Sequence, residues 1–395
     1  MNNLVLKGLK VLEFTHVISG SYAGMLLGDL GADIIKIERP GYGEFYRSEA
    51  IKNKEGESIV FPTYNRNKKS ITLNLKSVEG IQIAKDLIEK ADVIIENYRP
   101  GLMKKMGLGY EEIKKINEDV IMVSISGFGQ NGPYWENPAY DMTIAAMSGF
   151  MSVNGPAGEP MKAGPAISDF LSGIYGAMSV LVALKHKENT GEGQYIDVSM
   201  MECSMSILDA FFAQTKFTGV EPKGNGNRRH NYAPVNAFKS KNGSVYIACS
   251  LEKHWVKMTE VLGMPELLHD DRFKTTLVRK AHEIEIEEIV ANWAKQLTTE
   301  EIVGQLEAAT IPCAPIQSIS QVAKDPQVLA RKSIGEFDYP TLEGYPFVKF
   351  VPKFSTIETV YNSAPTLGEN TDEILRSVLK KSDSDIEQLK EKKII

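Results

Sequence analysis

Residues 10–38 read KVLEFTHVISGSYAGMLLGDLGADIIKIE, and the pattern of this stretch decides the fold. Lys10–Phe14 and Asp33–Glu38 are short apolar runs rich in strand-favouring residues, and the segment between them is dense in Gly, Ala and Ser. Strand, helix and strand within about thirty residues make a βαβ unit, which implies a parallel sheet. Gly20, Gly24 and Gly28 recur every fourth residue, so one face of the helix allows close backbone approach. The pattern repeats downstream, with strands over 70–75, 92–96 and 120–125 and helices over 78–90 and 111–117. The expected fold class is α/β, a Rossmann-like doubly wound large domain.

Working outward, a Gly- and Pro-rich loop (127–137, GFGQNGPYWEN) and a turn-dense segment (153–165) precede a long apolar helical pattern over 169–186. That pattern closes on Lys185, His186 and Lys187, the charge sign suited to a helix C-terminus. At 395 residues the chain exceeds the length at which one core usually stops growing, so two domains are expected. A polar, basic, Gly-rich shift at 220–229 (VEPKGNGNRR) marks the boundary. Beyond it, 244–249 belongs to a hairpin, charged helices run to about 309, and 345–350 and 352–354 are strand candidates before a helix over 371–380.

Hydrophobic residues make up 43% and charged residues 24%, an ordinary globular balance. The net charge of −6 argues against a general nucleic-acid or anionic-membrane surface. The N-terminus enters a strand without a signal core, and no stretch reads as the roughly 20 apolar residues needed to span a bilayer. Cys203, Cys249 and Cys313 form no C-x-x-C pair, a pattern expected of reduced thiols in a cytoplasmic protein. The six histidines pair with no ligand at metal spacing, so no metal site is expected.

The turn after the first strand reads THVISG rather than G-x-G-x-x-G, so the pyrophosphate cradle of a dinucleotide site is missing. Local basic clusters follow successive strands instead: Arg39; Arg66, Lys68, Lys69 and Lys76; then Arg99, Lys104 and Lys105. They read either as solvated surface charge or as a site for a ligand with several phosphates. Asp169 stands at the start of the long apolar helix, where it serves as a cap or as a carboxylate kept ionised by the helix dipole for nucleophilic attack. His16 follows the first strand, and Tyr140 and Asp141 follow the Gly-rich loop, positions that border a common pocket. Cys203 sits in an apolar helix with no basic partner and reads as inert.

Several segments together resemble one family. The opening LKGLKVLEFTHVISGSYAGMLLGDLGADIIKIERP, then NRNKKSITLNLK, DVIIENYRPGLMKKMGL, SISGFGQNGPY, NPAYDM, GQYIDVSMME and the late GEN-TDEIL are similar to class III CoA-transferases of the formyl-CoA, carnitine and bile-acid type. The resemblance runs from about Leu6 to Lys380. It implies an enzyme that moves CoA from an acyl-CoA to a carboxylic acid, with Asp169 in AISDFLSG as nucleophile through a mixed anhydride and an aspartyl-CoA thioester. CoA thioester is then a substrate, and no permanently bound cofactor is implied. His16, Val17, Arg39, Leu73, Lys76, Asn97, Tyr98, Lys105 and Tyr140 match positions that line the family's CoA site, and Arg99 joins them from the second basic loop. The family's fold implies a large domain from 1–220 and 325–395, a smaller α+β domain from 221–324, and an interlocked ring-like homodimer with neither nucleic-acid nor membrane partner.

A sister branch of that fold racemises 2-methylacyl-CoA thioesters and carries His where this chain has Tyr140, before Asp141; its absence favours transfer, although His16 is a conceivable substitute base. Ile18 and Ser21 replace a Gln and a Pro of the oxalate-using members, which suggests a larger or less polar acyl group than oxalate.

Overall fold

The computed structural model describes residues 3–48 and 51–395. Six strands, β1 (Lys10–Phe14), β2 (Asp33–Glu38), β3 (Lys68–Thr72), β4 (Val93–Glu96), β5 (Ile121–Ser126) and β6 (Tyr195–Ser199), form one sheet in the order β3-β2-β1-β4-β5-β6. Every neighbouring pair is parallel. Successive connections therefore run one way from β1 to β3 and the other way from β4 to β6. The order reverses between β1 and β4, and the crevice beyond their carboxyl ends is where such sheets bind ligands.

Both faces of the sheet are covered, which is why strands such as β5 are buried at every position. On one face Leu12, Phe14, Ile71, Leu73 and Ile94 pack with Ile83, Leu87 and Ile88 of the helix Val78–Ile88, and with Ile374, Leu375, Ile386 and Ile394 from far along the chain. On the other face Val11, Ile34, Val93, Val123 and Ile125 meet α1 (Ser19–Asp29) and a later helix, Ile167–Thr190. The alternation of Val11 and Leu12 between the two cores is the period-2 geometry of a strand.

Ile167–Thr190 runs 24 residues, and its 18-residue window of mean hydropathy 1.6 gives it the length and composition to cross a membrane, contrary to the sequence expectation. Its fourth-residue spacing of small side chains explains where it lies instead. Ser172, Gly173, Gly176, Ala177, Val180 and Ala183 are buried, and it packs along α1 and β5. A Cβ on Gly173 would come within 2.8 Å of the Ser19 carbonyl oxygen, so glycine is what permits the approach. Gly191, in the left-handed conformation, ends it.

The chain divides into two compact units. One comprises Met1–Phe150, Ala163–Ala213 and Lys332–Ile395, and the other Met151–Lys162 and Gln214–Arg331. The first also holds an antiparallel hairpin, Ile334–Tyr339 with Leu342–Val348. The strand expected over 352–354 is irregular chain; Pro352 has no N–H to offer a ladder, and the true partner strand, IGEFDY, was masked by its charges. The second unit carries a three-stranded antiparallel sheet (Val235–Lys239, Ser244–Ala248, Cys313–Pro315) whose Phe238, Val245 and Ile247 join Trp255, Met258, Ile286, Val290 and Ile302 in a core of its own.

Candidate active site

A cavity of about 350 Å³ opens beyond the carboxyl ends of β1, β4 and β5. β1 delivers His16 and Val17 to it, β4 delivers Asn97, Tyr98 and Arg99, and the chain after the Gly-rich loop delivers Tyr140. Asp169, in the first turn of the helix Ile167–Thr190, is the one acid in this lining among the described residues. Seven residues singled out in the sequence thus meet in one place. Four others lie outside the lining. Arg39 is exposed with its guanidinium 4.3 Å from the Tyr42 ring centre, Lys76 and Lys105 are exposed, and Leu73 is 1% exposed with its side chain in the core.

One amide ties the two strand ends together. Asn97 accepts from the His16 backbone N–H at 3.0 Å and donates to the His16 carbonyl at 2.9 Å and to Ser19 Oγ at 3.0 Å. The His16 ring stacks on Tyr98 at 5.4 Å between centroids. Burial, and secondarily the Lys36 ammonium, hold the His16 imidazole down at about 4, so it is neutral at working pH and a weak base. That removes much of the case for His16 as a racemase base.

Asp169 behaves differently from the sequence expectation of a dipole-held, ionised carboxylate. Burial, and then the neighbouring Asp141 charge, push its carboxyl up to about 7. A rise of that size is worth roughly 4 kcal/mol, whereas a helix N-terminus supplies roughly 0.3–1 kcal/mol, so desolvation wins. Asp141 is placed there by a cap: its Oδ1 accepts from the Ser168 backbone N–H at 2.7 Å, at the start of the same helix. Ser168 itself turns away, its hydroxyl accepting from Ser204 Oγ at 2.9 Å.

Beneath the lining lies a layer of buried charge that sequence reasoning missed. Glu13, 0% exposed, is paired with both Lys36 and Lys68, and Lys36 Nζ, equally buried, also reaches the Thr15 carbonyl at 2.9 Å. Glu96 accepts from the Tyr98 N–H at 2.9 Å and is pushed up to about 7, by burial above all. The available signal was an acid at or next to the end of a largely apolar strand, as in VLEF and VIIE. Ser21 is also in this layer, accepting from Lys36 Nζ at 3.1 Å, and Ile18 is 6% exposed outside the cavity lining. Neither side chain faces the cavity, so neither reads acyl size there.

Burial also pushes the Cys203 thiol up to about 12, which leaves no thiolate there for nucleophilic chemistry. Among the described residues no group of three or more His, Cys, Asp or Glu side chains is arranged to hold a metal ion.

The crevice lies at the strand-order reversal, where open parallel sheets bind ligands, and it sets Asp169 among His16, Asn97, Tyr98, Arg99 and Tyr140. The chain belongs to CoA-transferase family III, whose profile matches residues 6–371. It is similar to the succinyl-CoA–L-malate CoA-transferase beta subunit of Chloroflexus aurantiacus, 34% identical, with 99% of this chain and 98% of that protein covered. The succinyl-CoA:glutarate CoA-transferase of Homo sapiens is 34% identical over 98% of this chain and 90% of its own, and the succinyl-CoA:mesaconate CoA-transferase of Haloarcula marismortui 32% over 94% and 95%. Among solved structures, a CaiB/BaiF family protein from Brucella suis superposes with a TM-score of 0.88 at 33% identity, covering 95% of this chain and all 100% of that one. The protein is accordingly an enzyme that transfers CoA between an acyl-CoA and a carboxylic acid.

Proposed function

We propose that Asp169 is the nucleophile of this CoA transfer, and that the donor is succinyl-CoA and the acceptor a short dicarboxylic acid. The observation that carries the first part is that, among the described residues, Asp169 alone brings a carboxyl to the cavity beyond β1 and β4. The second part leans on the relatives, whose names give succinyl-CoA with malate, glutarate or mesaconate.

An Asp169 oxygen attacks the thioester carbon, the C–S bond breaks, and an acyl–aspartyl anhydride and CoA thiolate form. The thiolate attacks the aspartyl carbonyl of the anhydride, releasing the donor's carboxylate and leaving an aspartyl-CoA thioester. The acceptor carboxylate attacks that thioester to regenerate thiolate and a new anhydride, and the thiolate takes the acyl group, freeing Asp169. A thiol pKa near 8.5 makes the thiolate an adequate leaving group. Asn97, Tyr98 and Tyr140 border the path of the pantetheine arm, with Arg99, Arg39, Lys76 and Lys105 offered to phosphates at its far end.

The proposed assembly is an interlocked homodimer. Its support is the uncovered apolar side of Ile167–Thr190, where Ile174, Met178, Leu181 and Val182 are exposed. Paired alpha and beta subunits, as the Chloroflexus relative is named, are the competing arrangement. A cytoplasmic setting fits the three free thiols. Borohydride or hydroxylamine added during turnover with succinyl-CoA tests the nucleophile: peptide mass spectrometry finds the mark on residue 169, and a mark on any other carboxylate refutes the assignment.

A further inference from the structure

We propose that Glu44 is a positioning residue for CoA transfer: its carboxylate holds the left-handed turn at Val17 that forms one wall of the Asp169 cavity. Val17 has φ 62°, a region that a β-branched residue avoids because its branched Cβ crowds its own backbone. Such a conformation persists only where the surroundings impose it. Here the constraint comes from two sides. Asn97 fixes the backbone of His16 from the end of β4, and Glu44 Oε2 accepts from the Val17 N–H at 2.9 Å.

Glu44 is itself held from behind. Its backbone N–H donates to Glu38 Oε2 at 3.0 Å, and Glu38 is gripped by two Arg47 nitrogens at 2.7 Å and by Ser70 Oγ at 2.6 Å. The Glu44 side chain is 6% exposed, and among the described residues its second oxygen has no partner within normal hydrogen-bond geometry. The chain runs unbroken from the buried Glu38–Arg47 pair to the turn that faces the reacting atoms, so a loss at Glu44 propagates as a misplaced wall rather than as a missing contact to substrate.

This inference rests on the cavity being where the thioester meets Asp169. That reading is tested by trapping on residue 169, whereas this one is read from relative transfer rates, so the two fail separately. Steady-state CoA transfer is measured with succinyl-CoA and whichever of glutarate, malate or mesaconate turns over fastest. Glu44→Ala lowers kcat about 30-fold, with KM for succinyl-CoA changing by less than about threefold. Glu44→Gln keeps an acceptor oxygen and stays within about threefold of the parent enzyme. Glycine takes φ 62° without a Cβ penalty, so in a Val17→Gly background the same Glu44→Ala change costs only about threefold. Three results overturn the proposal: Glu44→Ala within twofold of the parent, Glu44→Gln as impaired as Glu44→Ala, or an undiminished penalty in the Val17→Gly background. If Glu44→Ala does not fold, the double variant decides. A folded double variant within about tenfold of Val17→Gly supports the clamp, and one that also fails to fold overturns it.

Discussion

Two cavities of about 350 Å³ open at opposite ends of the same parallel sheet, and they have little else in common. The one at the amino ends of the strands is walled by Leu87, Ala91, Ile374 and Val378, with Lys10, Lys69 and Lys90 at its rim. Two of its charges are in surface pairs, Lys69 with Glu373 and Lys90 with Glu89, of the kind worth little in water. The one at the carboxyl ends stands over buried Glu13, Lys36, Glu44 and Glu96, and it holds an acid whose ionisation is suppressed. Equal volume with unequal chemistry means that the shape of a cleft does not single out a candidate site; the desolvated titratable groups beneath it do.

The sharpest way to break this contrast is to remove the acid. Asp169→Ala is expected to lower CoA transfer about 10⁴-fold or more, followed by mass spectrometry of the CoA products; a variant retaining a tenth of the rate ends the assignment. A smaller effect concerns pH. Attack requires the ionised form, and the protonated form of Asp169 dominates below about 7, so kcat/KM rises as pH increases through 7 and levels off above it. Asp141→Asn keeps an oxygen for the Ser168 cap while deleting the neighbouring charge. It moves that rise to lower pH, by less than the whole displacement, because burial is the larger cause. A rate profile flat from pH 5.5 to 8 would contradict the suppressed ionisation.

Smaller again is the effect on stability of Gly173→Ala, where the new methyl meets the Ser19 carbonyl oxygen at 2.8 Å. A loss of about 1–3 kcal/mol in urea unfolding is expected, and an unchanged midpoint means that the two helices part more easily than their packing implies. The smallest change belongs to the amino-end cavity. Lys69→Ala and Lys90→Ala should each leave kcat/KM within about twofold of the parent, and a tenfold fall in either would erase the distinction between the two ends.

Much of this was readable in residues 10–38, because a βαβ unit is written in local periodicity. The strand-order reversal, with His16 and Asn97 on its two sides, is a property of the folded sheet that a count of such units leaves open. Charge was harder to read. In NRNKKS the letters alone do not separate Lys68, buried on Glu13, from Lys69, exposed on Glu373; only the pleat that sends alternate side chains to opposite faces tells them apart. Asp169 was visible as an acid at a helix start, but its protonation depends on Asp141 arriving from another helix and on how little water remains. The basic residues of the separate loops read alike as candidate phosphate partners, yet Arg66 is spent on Asp29 and Lys68 on Glu13, while Lys76 and Lys105 stay in solvent. Spacing names the loop and leaves the direction of each side chain open.

The lid on one face of the sheet comes from residues made long after the strands that they cover. Thr371 Oγ1 accepts from the Thr72 N–H across 299 positions of chain, and Ile374, Leu375, Ile386 and Ile394 complete a core begun by Leu12 and Phe14. During synthesis that face waits, oily and open, while the whole second unit is translated. Such delayed closure slows folding and exposes the nascent chain to wrong partners, so this protein should lean on holding factors while it is made.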